Sequence, residues 1–129
     1  MTGVWSFGAL QGATGPLSLS GLYPLRWPVT TWLNDGAAAD PRELIVPTFQ
    51  LVVPPAPGAE ATFGAWEPGA WEDNAPTSVG PFAIGIPVGA GATGTLAPAE
   101  AGVFTLYGKM TGAGEAPIFV AGNLVFEAP

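Results

Sequence analysis

Alternation of apolar and polar residues is clearest in the last third of the chain, where it predicts two strands. The segments GVFTLYGKM and APIFVAGNLVFEA flank TGAGE, a glycine-bearing link of hairpin length. In the second segment four apolar residues share one parity and are expected to face the core: Ile118, Val120, Leu124 and Phe126. Phe119 and Val125 fall on the opposite face. That face is therefore not purely polar, and we expect it to meet a second layer or a partner.

Elsewhere the pattern alternates between short strands and turns, and helix signals are scarce. The predicted strands span residues 4–10, 16–23, 29–33, 44–53, 61–66, 80–88, 93–97, 102–110 and 117–127. In NDGAAADPRELI, Asp40 can cap a turn with Pro41 at its first position and Glu43 at its third. This helical segment is expected to last about one turn before β-branched residues take over.

The run ELIVPTFQLVVPP predicts a strand that is interrupted by a proline. Its apolar residues of one parity are Ile45, Phe49, Leu51 and Val53. Pro47 lies inside the run and has no N–H to donate to a neighbouring strand. We therefore expect the strand to lie at a sheet edge or to bend at this residue.

The N-terminal third is rich in aromatic residues and shows no clear alternation. It carries Trp5, Phe7, Tyr23, Trp27 and Trp32 among glycines and prolines. We interpret residues 1–40 as an arm or wrapping segment and residues 41–129 as the sandwich core. For the three tryptophans, core and interface positions remain alternatives.

The segment LYPLRWPVTTWL is the strongest candidate for a contact surface, because its two prolines would hold aromatic side chains outward at little entropic cost. Tryptophan is also a frequent hot-spot residue at protein interfaces. The candidate partner-contact residues over the whole chain are Tyr23, Leu25, Trp27, Trp32, Trp66 and Trp71.

Composition narrows the fold class. The chain has 129 residues, of which 48% are hydrophobic and 10% are charged, which favours one globular domain over disorder. Its 15 prolines and 19 glycines lie between aromatic and β-branched clusters, as turn residues do. The prediction is an all-β protein: a single antiparallel β-sandwich, immunoglobulin-like or jelly-roll-like, with long Gly/Pro-rich loops.

The segment from Leu96 to Leu106 resembles the E–F corner of immunoglobulin-like domains. There a turn with an acidic-small-Gly sequence leads into a strand whose aromatic residue stands two positions before a buried residue. Residues 99–102, Phe104 and Leu106 fill these places. Phe104 lacks the hydroxyl of the tyrosine corner, and Leu106 replaces the disulfide cysteine. Trp66 is the candidate for the central tryptophan, and the resemblance covers roughly the last 85 residues.

Common catalytic arrangements are excluded by composition, since the chain has no His and no Cys. GAGATGTL has the glycines of a phosphate loop without its lysine. Glu67, Glu72, Asp73 and Asn74 form an acidic segment beside two tryptophans. An exposed acidic loop is favoured there over a Ca²⁺ site, and a Ca²⁺ site over glycosidase carboxylates.

Charge and motif content together suggest a structural role. A net charge of −7 opposes contact with nucleic acid or anionic membrane and is compatible with a basic protein partner. No segment is long and apolar enough to span a bilayer, and the N-terminus lacks the features of a signal peptide. Neither a cofactor nor a metal is expected.

In size and composition the chain resembles accessory virion proteins of tailed phages, including capsid decoration (cement) proteins. The resemblance implies a non-enzymatic virion protein, made in the host cytoplasm, whose partners are capsid or other virion proteins. Self-association on the particle is left open. The alternatives are a tail, collar or fibre adaptor and, in another class, a glycan-binding module that uses Trp66 and Trp71.

Overall fold

The protein is an all-β sandwich of two five-stranded sheets. The computed structural model describes residues 3–12, 15–72, 81–112 and 114–129. The strands are β1 (Gly3–Phe7), β2 (Leu17–Ser18), β3 (Leu22–Asn34), β4 (Ala37–Ala38), β5 (Val46–Val52), β6 (Glu67–Pro68), β7 (Ala70–Trp71), β8 (Phe82–Gly89), β9 (Gly102–Thr111) and β10 (Ile118–Glu127). One 3-10 turn, Gly94–Leu96, lies between β8 and β9. None of the described residues forms a helix that could cross a membrane.

The strand order is that of an immunoglobulin-type sandwich. One sheet, which we call sheet A, runs β1-β3-β8-β7 with β4 beside β3, and the other, sheet B, runs β2-β10-β9-β5-β6. When β1, β3, β5, β7, β8, β9 and β10 are lettered A to G, the sheets contain A-B-E-D and G-F-C, the immunoglobulin arrangement. All pairs are antiparallel except β2 with β10, which is parallel.

The N-terminal segment is part of the sandwich and is not an arm. β3 spans 13 residues and pairs with β1 on one side and β8 on the other. β1 also belongs to sheet A, and β2 belongs to sheet B. The predicted division into a segment 1–40 and a separate core 41–129 therefore does not describe the architecture, because a central strand of sheet A comes from the first part.

Pro24 and Pro28 lie inside β3 without disrupting its pairing to β8. The carbonyl of Pro28 accepts a hydrogen bond from the N–H of Gly8, so the backbone of this residue points away from β8. Arg26 exchanges both backbone hydrogen bonds with Gln11 on the same side. By alternation the missing N–H groups of both prolines face this loosely paired side, where no strand hydrogen bond is lost.

The core lies between the sheets and includes residues from nearly every long strand. Trp27, Phe49, Phe82, Leu106 and Phe126 are among its largest fully buried side chains. Leu124 and Phe126 face inward as predicted, and Phe104 is half-buried against the ring of Phe126. The last two strands form the expected hairpin.

The first half of β10 faces the opposite way from the prediction. Ile118 and Val120 are exposed, Val120 by 58%, whereas Phe119 packs against the core. The cause is a β-bulge between Val120 and Gly122, where Ala121 has no partner on β9. One extra residue reverses which parity faces the core.

The strand from the ELIVPTFQLVVPP run pairs with β9 on one side and with the two-residue β6 on the other. The carbonyl of Pro47 accepts from the N–H of Gly69, so the missing donor of Pro47 faces the short β6 side. Ile45, Phe49 and Leu51 are buried as expected, while Val53 is exposed beyond the strand end.

The E–F corner lies where the sequence placed it, between β8 and β9, and Leu106 is fully buried. Trp66 is not the central core residue. That place on β5 is taken by Phe49, whose ring meets the ring of Trp27 edge-on at 6.0 Å. Two predicted strands are absent: residues 61–66 form a loop, and residues 93–97 contain the 3-10 turn.

Candidate interaction surface

Three of the predicted contact residues are core residues. Leu25, Trp27 and Trp32 are only 1%, 2% and 1% exposed. Phe7 stacks on Trp27 with 3.9 Å between ring centroids, and Trp5 packs on Trp32 at 5.6 Å. Their assignment as partner contacts is therefore wrong, because these side chains already fill the interior of their own domain.

Tyr23 and Trp71 are half-buried, and their polar atoms are used within the domain. The hydroxyl of Tyr23 accepts a hydrogen bond from the N–H of Ser18 at 2.8 Å. The indole N–H of Trp71 donates to the carbonyl of Ile45 at 2.9 Å. Both side chains also pack against the core, so they tie neighbouring segments to the sandwich.

Trp66 is the one predicted contact residue that lies on the outside of sheet B, in a cluster of aromatic rings. Phe63 is 5.3 Å from the Trp66 ring and 5.0 Å from the ring of Tyr107. The ammonium group of Lys109 lies 4.9 Å above the Trp66 ring, which is the geometry of a cation–π contact. This cluster covers one side of the outer surface of β9.

The acidic residues that suggested a Ca²⁺ or glycosidase site are divided between the sheets. Glu67 is on β6 of sheet B and packs against Gly94. Glu72 follows β7 of sheet A and forms a 2.8 Å ion pair with Arg26. Asp73 and Asn74 lie outside the described residues. Within the residues that the structure describes, no group of three or more acidic side chains is placed to hold a metal ion.

An ion pair anchors a hydrogen-bonded turn before β5, in which the N–H groups of Leu44 and Ile45 donate to the carbonyl of Pro41. The guanidinium of Arg42 donates to both carboxylate oxygens of Asp40, the shortest bond being 2.7 Å, and the backbone N–H of Arg42 donates to the same carboxylate at 2.9 Å. These bonds, above all those from the guanidinium, lower the pKa of Asp40 below its ordinary value. Asp40 therefore caps the turn, as the sequence indicated, and its ion pair stabilises the ionised form.

The outer surface of β9 and β10 carries several exposed apolar side chains. The register pairs Ile118 with Lys109, Val120 with Tyr107, and Val125 with Val103. Val103, Ile118, Val120 and Val125 are all exposed, and Tyr107 is half-buried. We call these six residues, including Lys109, the β9–β10 outer face. Exposed apolar residues that are contiguous usually mark a binding site.

The remainder of the outer surface of sheet B is covered by the chain itself. Gln50, on β5, is buried and binds the loop backbone twice: its side-chain oxygen accepts from the N–H of Gly64 at 2.7 Å, and its amide donates to the Gly64 carbonyl at 3.2 Å. Thr95 donates to the carbonyl of Ala65 at 2.8 Å. These bonds hold the loop after β5 across β5, while Val103 of β9 and Ile118, Val120 and Val125 of β10 remain exposed.

Lys109 is the only charged residue of the β9–β10 outer face. The two other basic residues of the chain, Arg26 and Arg42, form ion pairs with Glu72 and Asp40. In the middle of the face, two polar side chains bond to each other: the hydroxyl of Thr105 donates a hydrogen bond to the side-chain oxygen of Asn123 at 2.9 Å. The face therefore combines apolar area with a single positive charge beside aromatic rings.

None of these six residues was among the contact residues predicted from the sequence. Val125 alone was placed on a face expected to meet a second layer or a partner. The signal was present in GVFTLYGKM, where Val103 and Tyr107 share the outward parity with Lys109. Comparison of the chain with protein-family models, with curated proteins and with solved structures finds no match.

Proposed function

We propose that this protein is a non-enzymatic structural protein that binds other protein subunits through its β9–β10 outer face. The most specific form of the proposal is that it decorates a phage capsid and stabilises the assembled shell. The observation that carries it is the row of exposed valine and isoleucine side chains on two strands that are otherwise well packed. A sandwich needs only one apolar side of each sheet, so apolar residues on both sides of β10 call for a second partner.

Burial of this face would supply the binding free energy. Apolar area removed from water contributes about 25 cal/mol per Å². Aliphatic side chains on a paired strand lose little conformational entropy on binding, because the backbone is already fixed. On a shell, the same small contact is repeated in every copy, so a modest contribution per subunit raises the total resistance of the particle.

The aromatic cluster and Lys109 would give the contact its specificity. Tyrosine and tryptophan combine large apolar area with few rotatable bonds, and they are enriched at interface hot spots. The ammonium of Lys109, held over Trp66, can pair with a carboxylate of the partner. We expect the contacted surface of the partner to be apolar with an acidic residue opposite Lys109.

Support for the virion setting comes from the composition. The chain has no His and no Cys, a net charge of −7, and 34 glycine and proline residues (19 and 15). Such a chain lacks the usual general base, metal ligand and thiol nucleophile, and it presents its surface on a rigid sheet. A tail, collar or fibre adaptor would use the same face on a different virion protein.

The test is co-sedimentation of the purified chain with intact capsids and, separately, with tails from the phage whose genome encodes it. Val103→Asp places a charge in the β9–β10 outer face, and Val4→Asp places the same charge on sheet A at a residue of similar exposure, 54% against 50%. We expect Val103→Asp to abolish capsid binding and Val4→Asp to retain it. Equal binding by both variants would contradict the proposed face, and binding to tails alone would replace decoration with the adaptor function.

A glycan-binding role is the second candidate, and the cluster of Phe63, Trp66 and Tyr107 is the observation that favours it. Aromatic rings stack on the apolar faces of sugars, and the ring of Phe63 lies 5.3 Å from that of Trp66 and 5.0 Å from that of Tyr107. The original pair of tryptophans is reduced to Trp66, since Trp71 packs on the core. A glycan-array screen decides: specific binding that is lost in Trp66→Ala would support this role over shell binding.

A further inference from the structure

We propose that two copies of this protein associate in solution by packing their β9–β10 outer faces against each other around a two-fold axis, with the strands of the two copies antiparallel. The proposal concerns the free protein and is tested without any virion component, so it stands or falls separately from the proposed function. It rests on the order of apolar and charged side chains along the face and on a groove at one end of it.

The apolar residues of the face are arranged evenly about its middle. Three cross-strand pairs follow one another at equal spacing along β9: Val103 with Val125, Thr105 with Asn123, and Tyr107 with Val120. A two-fold axis that crosses the strands at the middle pair reverses positions along them, so each outer pair lies over the opposite outer pair of the second copy. Val125, which is 40% exposed, then packs against Val120, which is 58% exposed. Apolar side chains meet apolar side chains on both sides of the axis, as a self-complementary interface requires.

Opposite charges lie at the two ends of this row. Lys109 stands at one end, and Glu127 is exposed at the other, with the same outward parity as Val125. One step beyond the last pair of β9 and β10, Glu127 is level with Ala101, as far from the axis as Lys109 is on the other side. Within the described residues, neither charged side chain belongs to an ion pair. The axis therefore brings Lys109 of each copy to Glu127 of the other and forms two equivalent ion pairs.

A groove at the Glu127 end fits the aromatic ring at the Lys109 end. The groove has a volume of about 360 Å³, lies where β9 begins, and includes Val53, Val103 and the carboxylate of Glu100 in its lining. Trp66 precedes β6, which pairs with β5, so its ring beneath Lys109 lies on the β5 side of β9. The axis runs across the strands and keeps the β5 side of one copy over the β5 side of the other. The Trp66 ring with its cation then meets an apolar groove that carries a negative charge.

The size of the face sets the strength of this association. At about 3.3 Å per residue, the segment from Ala101 to Lys109 is about 26 Å long, and two strands with the aromatic cluster beside them are about 15 Å wide. The resulting area is about half of the ~800 Å² that each partner buries in a stable interface. We therefore expect a weak dimer, with a dissociation constant above about 10 μM, which a partner with a larger contact can displace from the face.

The first experiment is sedimentation equilibrium of the full chain from micromolar to millimolar concentration, at about 0.15 M salt to screen the net charge of −7 on each copy. We expect the average mass to rise from 13.0 kDa toward twice that value. Lys109→Glu places like charges at both ends of the contact and should weaken association by about tenfold or more. Val4→Asp, on sheet A, is the control and should associate like the wild type. A wild-type chain that remains monomeric throughout, or unchanged association of Lys109→Glu, would overturn the proposal.

An exchange of charges between copies tests the antiparallel orientation. Glu127→Lys alone should also weaken association, because Lys109 of each copy then meets a lysine. In a mixture of Lys109→Glu with Glu127→Lys, a glutamate meets a lysine at both ends, so the two variants should associate with each other more tightly than either does with itself. A mixture that associates no better than the separate variants would overturn the proposed arrangement.

The outcomes for the dimer and for the shell are separable. A chain that stays monomeric in free solution but sediments with capsids would refute the dimer and leave the proposed function intact. A chain that dimerises with the charge pattern above but does not sediment with any virion component would support the dimer and refute the proposed function.

Discussion

Replacement of Leu106 by alanine should be strongly destabilising, and the structure allows its cost to be worked out. Leu106 is fully buried in the middle of β9, which is hydrogen-bonded to β10 on one side and β5 on the other. The lost transfer free energy is about 0.8 kcal/mol for each of three carbon groups, or about 2.4 kcal/mol. Because strands on both sides keep the site from collapsing, a cavity contribution is added, and buried leucine truncations reach about 2.7–5 kcal/mol in total.

We therefore expect Leu106→Ala to lower the free energy of unfolding by about 3–4 kcal/mol. The assay is urea denaturation monitored by tryptophan fluorescence. We expect the slope of the unfolding free energy against urea concentration to be the same in wild type and variant. Val103→Ala on the same strand is the control, since its half-exposed side chain should cost no more than about 0.5 kcal/mol. A loss of less than about 0.5 kcal/mol for Leu106→Ala would refute the placement of the Leu106 side chain between the sheets.

Three further changes test separate parts of the structure. Phe119→Ala should cost about 2–3 kcal/mol and its neighbour Val120→Ala about 0.5 kcal/mol or less, measured by urea denaturation; the reverse order would mean that the bulge in β10 is absent. Gln50→Leu should cost about 1–3 kcal/mol and speed proteolysis of the loop after β5, because it removes both bonds to the loop backbone; unchanged proteolysis would contradict that anchoring. Asp40→Asn should weaken the pH dependence of stability: the pKa of Asp40 is lowered in the folded state, so its contribution is complete above about pH 4 and is lost as the pH falls through the folded value. Unfolding measured from neutral to acidic pH should therefore show a smaller loss in the variant, and identical profiles would count against the ion pair.

The C-terminal part of the fold was predictable because its pattern is local. In β9 the burial of side chains alternates from Leu106 to Thr111, and a glycine-bearing link of the right length follows the strand. The E–F corner could be located from its own short sequence, and the burial of Leu106 followed from its place in that corner. None of these features depends on contacts far away in the chain.

Two β-bulges account for much of what the sequence did not show. In β10 the extra residue, Ala121, reverses the inward parity, so Ile118 and Val120 were assigned to the wrong face. In β3, Thr30 has no partner on β1, and the inward positions change from Val29 to Trp32 across it. A bulge is set by pairing with another strand, which a single sequence does not display.

Because it contains two prolines, β3, the central strand of sheet A, was not predicted as one strand from the sequence. The side chains of Leu25, Trp27 and Val29 all point into the core. The neighbouring residues Pro24 and Pro28 suggested an exposed segment instead. The prolines are tolerated because their missing donors face away from β8. That orientation depends on the partner strands, which the sequence of the segment does not show. The aromatic residues were therefore wrongly interpreted as a contact surface.

The most direct test of the central claim is a cryo-electron microscopy map of capsids decorated with this chain, at a resolution that distinguishes the two sheets. The account predicts that the β9–β10 outer face, with Tyr107 near its centre and Lys109 at one end, lies against the capsid protein. A map in which sheet A contacts the shell, with Val4 at the interface and the β9–β10 outer face open to solvent, would contradict it.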